Sequence, residues 1–379
     1  MIGLPFRPEF SGLQPYGAPQ IDNLVRLNVN ENPYAPPPKV VTAITEAVTK
    51  AAQNLNRYPD RDFTELRTAL ADYLNNESGV HLTPDQIWAA NGSNEVMLHL
   101  FQAFGGPGRV ALSFTPTYSM YPEYARDTNT GWATIERTAD FGLEMPKVLA
   151  AIAELQPALI ILTSPNNPTG TALTLAEIEQ VLIAASKVQV PGAPSGSGAI
   201  VIVDEAYAEF RRAGVPSALE LLPNWPNLAV SRTMSKAFAA AGLRLGYLAA
   251  TPELVMALQL VRLPYHLSAI TQAAALAALS QADILQAQVA ALRAERDKLF
   301  AWLQTQTGPD GQPLKVAPSD ANFIMFGTFA DRHLVWEKLA QAGVLIREVG
   351  PPGWLRVSIG TPSEMMAFRA ALSNACQRC

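Results

Sequence analysis

Cysteine is nearly missing from this chain of 379 residues. The two present, Cys376 and Cys379, form a single C-x-x-C at the C-terminal end. A zinc site would need two further ligands, and a redox pair would open a helix after a strand. A frayed tail with free thiols is therefore expected. Histidine is also scarce. His81, His99, His266 and His333 are scattered, with no H-E-x-x-H and no metal-like spacing, so no metal site is expected. There is no basic run, and the net charge of −5 gives no electrostatic reason to expect nucleic acid. The apolar runs are all broken by Pro, Gly or charge, so no membrane span is expected. The opening stretch MIGLPFRPEF lacks a charged segment followed by an apolar one, and no signal peptide is apparent. These absences point to a soluble cytoplasmic protein without internal repeats.

What is there is apolar: 49% of the residues, ample for a sizeable core. The length suits one large domain plus a smaller one. The chain is organised around residues 227–250, NLAVSRTMSKAFAAAGLRLGYLAA. It reads as a strand, a tight polar turn, a crowded Ala/Gly segment and a returning strand. Lys236, placed in that turn, can form a Schiff base with an aldehyde cofactor. Taken alone it reads as a solvated surface lysine, and the rest of the chain overturns that reading. The neighbouring hydroxyls and Arg244 suit a phosphate.

Residues 1–38 are rich in Pro, Asn and Gly and cannot form a long helix. Tyr16, Tyr34 and the cluster Asn28, Asn30, Glu31, Asn32 suggest an ordered arm over a site rather than a disordered leader. Helices are expected over 40–52 and 64–74, flanking the Pro-bearing turn Asn56-Arg57-Tyr58-Pro59-Asp60. A short strand then leads through Asn91-Gly92-Ser93-Asn94 into a helix starting near Ser93. Such a start serves as an anion site or as an ordinary N-cap. Apolar strands over 110–114, 157–163 and 199–203 end at Tyr118, at the rigid loop around Asn167, and at Asp204 to Tyr207. Acidic residues directly after a buried strand lie at a sheet's carboxyl edge, where open α/β sheets bind ligands. Tyr118 suits stacking on an aromatic ligand, or a core position. Beyond residue 252 the pattern changes to Ala/Leu-rich helices, a long one over 272–303, then strand-like runs over 322–326, 344–347 and 355–359, and a last helix from 362 to about 376. The expected division is 39–262 as a large cofactor-binding domain, with 1–38 and 263–379 forming an arm and a small α+β domain.

Together the strand ends supply Lys236, Asp204, Asn167, Tyr118, Tyr207, Arg244 and the Gly-Ser-Asn helix start. An aldehyde needs the lysine, held as an imine. A pyridine nitrogen kept protonated needs the carboxylate, so that the ring acts as an electron sink. A ring hydroxyl needs the amide and phenol, and a phosphate needs amides, hydroxyls and arginine. That set describes pyridoxal 5'-phosphate.

The motifs LNVNENPYAP, NRYPD, AANGSNE, PTYSMY, SPNNPTG, VDEAYAEF, RTMSKAFAAAGLRLGY, RLPYHLSAITQ, VLIRE and LRVSIGT run nearly end to end. They resemble the fold-type I pyridoxal phosphate enzymes and, within them, the histidinol-phosphate aminotransferases. The resemblance implies an α/β fold with a mostly parallel central sheet between helices. It implies Lys236 as the catalytic lysine and Asp204 on the pyridine nitrogen. Asn167 and Tyr207 would meet the ring hydroxyl, and Tyr118 the ring face. Gly92, Ser93, Asn94, Ser235 and Arg244 would hold the phosphate, with Tyr58 reaching it from the other subunit of a homodimer with shared sites. Arg356, Arg347 and Tyr16, beside Asn167, would bind substrate: the carboxylate of glutamate, or the phosphate of histidinol phosphate. Arg347 reads alternatively as a surface ion pair with Glu348, and Tyr58 as a turn residue.

The implied reaction converts histidinol phosphate and 2-oxoglutarate to imidazole acetol phosphate and glutamate, in histidine biosynthesis. Departures from the pattern are His266 where asparagine is common, Glu348 where aspartate is common, and a short Pro-rich link VGPPGWL. Alternatives on the same fold are an aromatic amino-acid aminotransferase or a phospho-amino-acid decarboxylase. A cofactor-sensing regulator would need a DNA-binding unit, and the first 38 residues are too Pro-rich to supply one.

Overall fold

The computed structural model describes residues 4, 5, 7–14, 17, 19–22 and 24–377. Its centre is a seven-stranded sheet. From edge to edge the strands are Ile87–Ala90, Gly246–Ala249, Leu228–Thr233, Ile200–Asp204, Leu159–Thr163, Val110–Thr115 and Gly131–Glu136. Gly246–Ala249 runs antiparallel to both neighbours, and every other pairing is parallel. Leu159–Thr163 and Leu228–Thr233 are buried throughout, and Ile200–Asp204 from its second residue. Covered on both faces, such strands read as unbroken apolar runs, which is why the sequence announces them. The α/β class with a mostly parallel sheet is as expected.

Six strands point the same way, and the reversed one begins where the others end. Their carboxyl ends and Arg244, two residues before Gly246, therefore share one edge.

A second sheet is antiparallel, in the order Arg347–Glu348, Leu355–Ser358, Phe323–Gly327, Lys315–Val316. Val25–Arg26 pairs in parallel with Val344–Leu345. The run 344–347, expected as one strand, is thus split between two sheets. Ile346 breaks it, its carbonyl accepting from Trp336 Nε1 at 2.8 Å. The helix expected over 272–303 is also broken. It is two helices, Ala269–Leu279 and Ala282–Leu303, bent by 71°. The bend lets the first pack on the helix Pro38–Ala52 while the second reaches Phe323–Gly327. Among the described residues no single helix is long and apolar enough to cross a membrane.

Candidate active site

A cleft of about 490 Å³ opens at the carboxyl edge of the main sheet, roofed by residues 28–31 and by the strands bearing Arg347 and Arg356. Ser93, Asn94, Tyr118, Asn167, Asp204, Tyr207, Ser235, Lys236, Arg244, Arg347 and Arg356 all line it. Residues as distant in sequence as Asn28 and Arg356, 328 positions apart, meet there because each follows the end of a strand or lies in the small antiparallel sheet.

Lys236 follows the strand Leu228–Thr233, and its Nζ donates to the carbonyl of Val29 at 3.0 Å. Burial brings its amine down to about 8, helped by Arg356 and Arg244 and opposed by Glu31. A neutral, nucleophilic amine is then accessible near physiological pH. Asp204 is the last residue of its strand and 5% exposed. Its Oδ2 accepts from Tyr121 Oη at 2.7 Å and its Oδ1 from the Ala206 amide at 3.1 Å. Burial raises its pKa above the usual carboxylate range, against the lowering effect of those two bonds. Tyr121 Oη also pairs with Thr163 Oγ1 at 3.0 Å, which meets Thr117 Oγ1 at 3.1 Å. Tyr121, Thr163 and Thr117 were not singled out from the sequence.

The helix Gly92–Phe104 starts at the cleft with no side-chain cap bond from Asn91. Asn91 instead gives its amide and Nδ2 to Glu95 Oε2, at 2.6 and 2.8 Å. The ordinary N-cap reading of this turn therefore does not hold. Gly92 has φ +80°, and a β-carbon there would sit 2.6 Å from Arg244 Nη2. A β-carbon on Gly246 would lie 2.1 Å from the Ser93 amide nitrogen. Glycine at 246 lets the two backbones approach so closely, and glycine at 92 leaves room for the guanidinium. Arg244 Nη1 reaches Ser235 Oγ at 3.5 Å. Uncapped amides, two serines and a guanidinium form a cup that could hold a phosphate.

Across the cleft, Asn167 Nδ2 lies 3.5 Å from Tyr207 Oη, which also accepts from Asn30 Nδ2 at 3.0 Å. Arg356 is 6% exposed. It donates to Asn167 Oδ1 and to the Asn28 carbonyl, and lies over the Phe323 ring. Arg347 pairs directly with Arg356 across the two strands. Like charges so placed repel, and an anion between them removes the penalty. Arg347 Nη1 is buried without a hydrogen-bond partner among the described residues. Its alternative reading as an ion pair with Glu348 fails: Glu348 binds His333 Nδ1 at 2.8 Å and Arg332 Nε at 3.6 Å.

Two expected contacts are not brought together. Tyr58 is 80% exposed and does not line this cleft; its ring stacks on Tyr265 at 4.5 Å. Tyr16 lies outside the described residues. The departure at His266 is placed behind the cleft. Its ring stacks on Trp88 at 5.3 Å and its Nε2 meets the Ala89 carbonyl at 2.8 Å. No group of three or more metal-ligating side chains forms among the described residues.

Residues 22–372 match the family Aminotransferase class I and II. The chain belongs to the class I and II aminotransferases. It is 57% identical to a histidinol-phosphate aminotransferase of Bifidobacterium longum, over 97% of this chain and 96% of that protein. It is 56% identical to that of Thermobifida fusca, over 99% and 96%. The crystal structure of histidinol-phosphate aminotransferase from Sinorhizobium meliloti, in complex with pyridoxal-5'-phosphate, is similar at TM-score 0.78 and 25% identity, covering 93% of this chain and 90% of that one. For an aminotransferase of this family, the cleft's polarity has a direct use: it brings together an amine, an anion cup and a pair of arginines.

Proposed function

We propose that this aminotransferase uses pyridoxal phosphate to convert L-histidinol phosphate and 2-oxoglutarate to imidazole acetol phosphate and L-glutamate, in the histidine biosynthesis of the cytoplasm. The observation that carries the reading is the direct pairing of Arg347 with Arg356 in the lining of the same cleft as Lys236 and the anion cup. One site must accept two amino donors in turn, and each brings an anion to the same end.

Bound pyridoxal phosphate supplies an aldehyde for the amino group and a ring that spreads the electron pair left by the departing α-proton. The chain does the rest. Gly92, Ser93, Asn94, Ser235 and Arg244 take the cofactor phosphate. Asn167 and Tyr207 orient the ring hydroxyl, Tyr118 covers the ring face, and Asp204 keeps a proton on the ring nitrogen. Lys236 Nζ removes the proton from the substrate α-carbon and returns it on the other side of the reaction. Arg356 and Arg347, with Tyr16, hold the substrate phosphate or carboxylate. Residues 39–262 form the cofactor-binding domain, and 1–38 with 263–379 the arm and smaller domain.

Single-turnover absorbance on the yellow holoenzyme tests this. Histidinol phosphate and glutamate should each bleach the cofactor band rapidly. Phenylalanine should react at least about 100-fold more slowly, because its carboxylate is smaller and less charged than the phosphate of histidinol phosphate and its ring offers no N–H to hydrogen-bond. Equal rates with phenylalanine would make the protein a general aromatic aminotransferase. Loss of carbon dioxide from phosphothreonine without a keto acid would make it a decarboxylase.

The active unit is a homodimer in which Tyr58 reaches the partner's cofactor phosphate. Tyr58, Leu260 and Leu263 are 80%, 83% and 77% exposed, apolar side chains that a partner subunit would cover. Sedimentation should give one species of twice the chain mass, and Tyr58→Phe should weaken cofactor binding about tenfold. A monomer with full activity would refute the shared site.

A further inference from the structure

Among the described residues two carboxylates line the cleft, Asp204 and Glu31. Asp204 is buried, with both oxygens engaged by Tyr121 and the Ala206 amide. Glu31 stands exposed at the mouth and forms no hydrogen bond or ion pair among the described residues. Its backbone is nonetheless pinned on both sides. The Asn30 amide donates to Ser358 Oγ at 2.9 Å, and the Asn30 carbonyl accepts from Asn322 Nδ2 at 3.0 Å. Asn30 Nδ2 holds Tyr207, and Asn32 Oδ1 accepts from the Tyr34 amide at 3.0 Å. Val29 accepts from Lys236. A free carboxylate on so fixed a segment is presented, not merely solvated.

The remaining ionisable side chains of the cleft among the described residues are the bases Lys236, Arg244, Arg347 and Arg356. They suit phosphates and carboxylates, and neither a guanidinium nor a protonated amine can accept a hydrogen bond. Histidinol phosphate brings a group that needs an acceptor. Its imidazole always carries at least one N–H, and near neutral pH part of it is imidazolium. Glutamate brings no such group.

We propose that Glu31 is a specificity-determining residue that accepts the imidazole N–H of the substrate, marking it apart from glutamate within one shared site. This rests on the function proposed above. The same carboxylate stands near enough to act on Lys236, whose amine it draws upward against the effect of burial. Its effect on ring recognition must therefore be separated from any effect on the lysine.

The test compares Glu31→Gln and Glu31→Ala holoenzymes in single-turnover half-reactions. For histidinol phosphate, kcat/KM should fall about 10- to 100-fold in Glu31→Ala, the worth of one hydrogen bond to a charged group, mainly through weaker binding. Glutamate should change by no more than about threefold. Wild-type affinity for histidinol phosphate should rise as pH falls through the titration of the ring at roughly 6.5, and Glu31→Gln should flatten that rise. Equal losses with both substrates would mean that Glu31 works through Lys236 or the fold, and would overturn the proposal. So would an unchanged histidinol phosphate half-reaction in Glu31→Ala, which leaves the function intact. A wild-type enzyme that transaminates glutamate but ignores histidinol phosphate would overturn the function itself and this inference with it.

Discussion

Lys236→Ala is expected to slow both half-reactions by at least about 10⁴-fold, the upper end of what a positioned proton-transfer group contributes. Among the described residues Lys236 is the only lysine in the cleft's lining, and its Nζ is fixed by the Val29 carbonyl. The cup made by Ser93, Asn94, Ser235 and Arg244 remains, so the variant should still bind pyridoxal phosphate. Single-turnover absorbance with each substrate checks the rate, and added ethylamine should restore part of it. Normal rates without the lysine would remove Lys236 from the chemistry.

The same side chain carries a stability cost with a definite pH sign. Folding brings the amine from 10.5 to about 8. Below pH 8 the folded protein carries a charge that it disfavours, a penalty on the order of 3 kcal/mol at most. The penalty shrinks as pH rises from 8 and is gone above 10.5. Lys236→Met keeps the volume and drops the charge. Its cofactor-free form should melt higher than wild type at pH 7, with the gain disappearing toward pH 10.5. A gain that did not vary with pH would come from packing instead.

The site was legible because its parts follow buried parallel strands. Runs such as ALIIL and AIVIV stand out in sequence, and the polar residues after them are automatically neighbours at one edge. Elements without such runs were silent. The strand Gly131–Glu136 lies at the sheet's edge and is only partly buried, so its pattern never becomes continuously apolar. The break at Ser280 and Gln281 was hidden by alanine-rich turns on both sides, since neither residue forbids a helix. Arg347 was legible as a cation, but its position opposite Arg356 depends on strand register, which only the folded pair fixes. Tyr121 and Thr163 become functional candidates only through Asp204, and no local pattern joins three such distant positions. The Asn-rich arm, by contrast, was visible as an excess of amides. Asn30 shows its use, bridging Tyr207 and Ser358.

Asp204→Asn should change activity and cofactor-free stability in opposite directions. Asparagine can still accept the Tyr121 hydroxyl but brings no negative charge to the ring nitrogen. The transamination rate should fall by about 10² to 10³-fold or more, as when one preorganised electrostatic group is removed from a reacting centre. Stability should move the other way. Burial holds the Asp204 carboxyl above its ordinary range, and the neighbouring Glu205 adds to the rise. A group with a raised folded pKa favours the fold at low pH. That contribution is lost as pH climbs through the folded value, so at neutral pH the ionised Asp204 is a cost. Removing the charge should raise the melting temperature of the cofactor-free protein at pH 7. The gain should fade as pH drops into the ordinary carboxylate range near ~4. Arg232 offers Asp204 no relief, because that guanidinium is already committed to Glu205 at 2.8 Å and to Glu77 and Glu209. A carboxylate that costs stability and is kept for chemistry gives this opposed pair of results. A structural carboxylate gives the reverse, a variant that melts lower in the cofactor-free state and works normally once loaded, and that outcome would take Asp204 out of the mechanism.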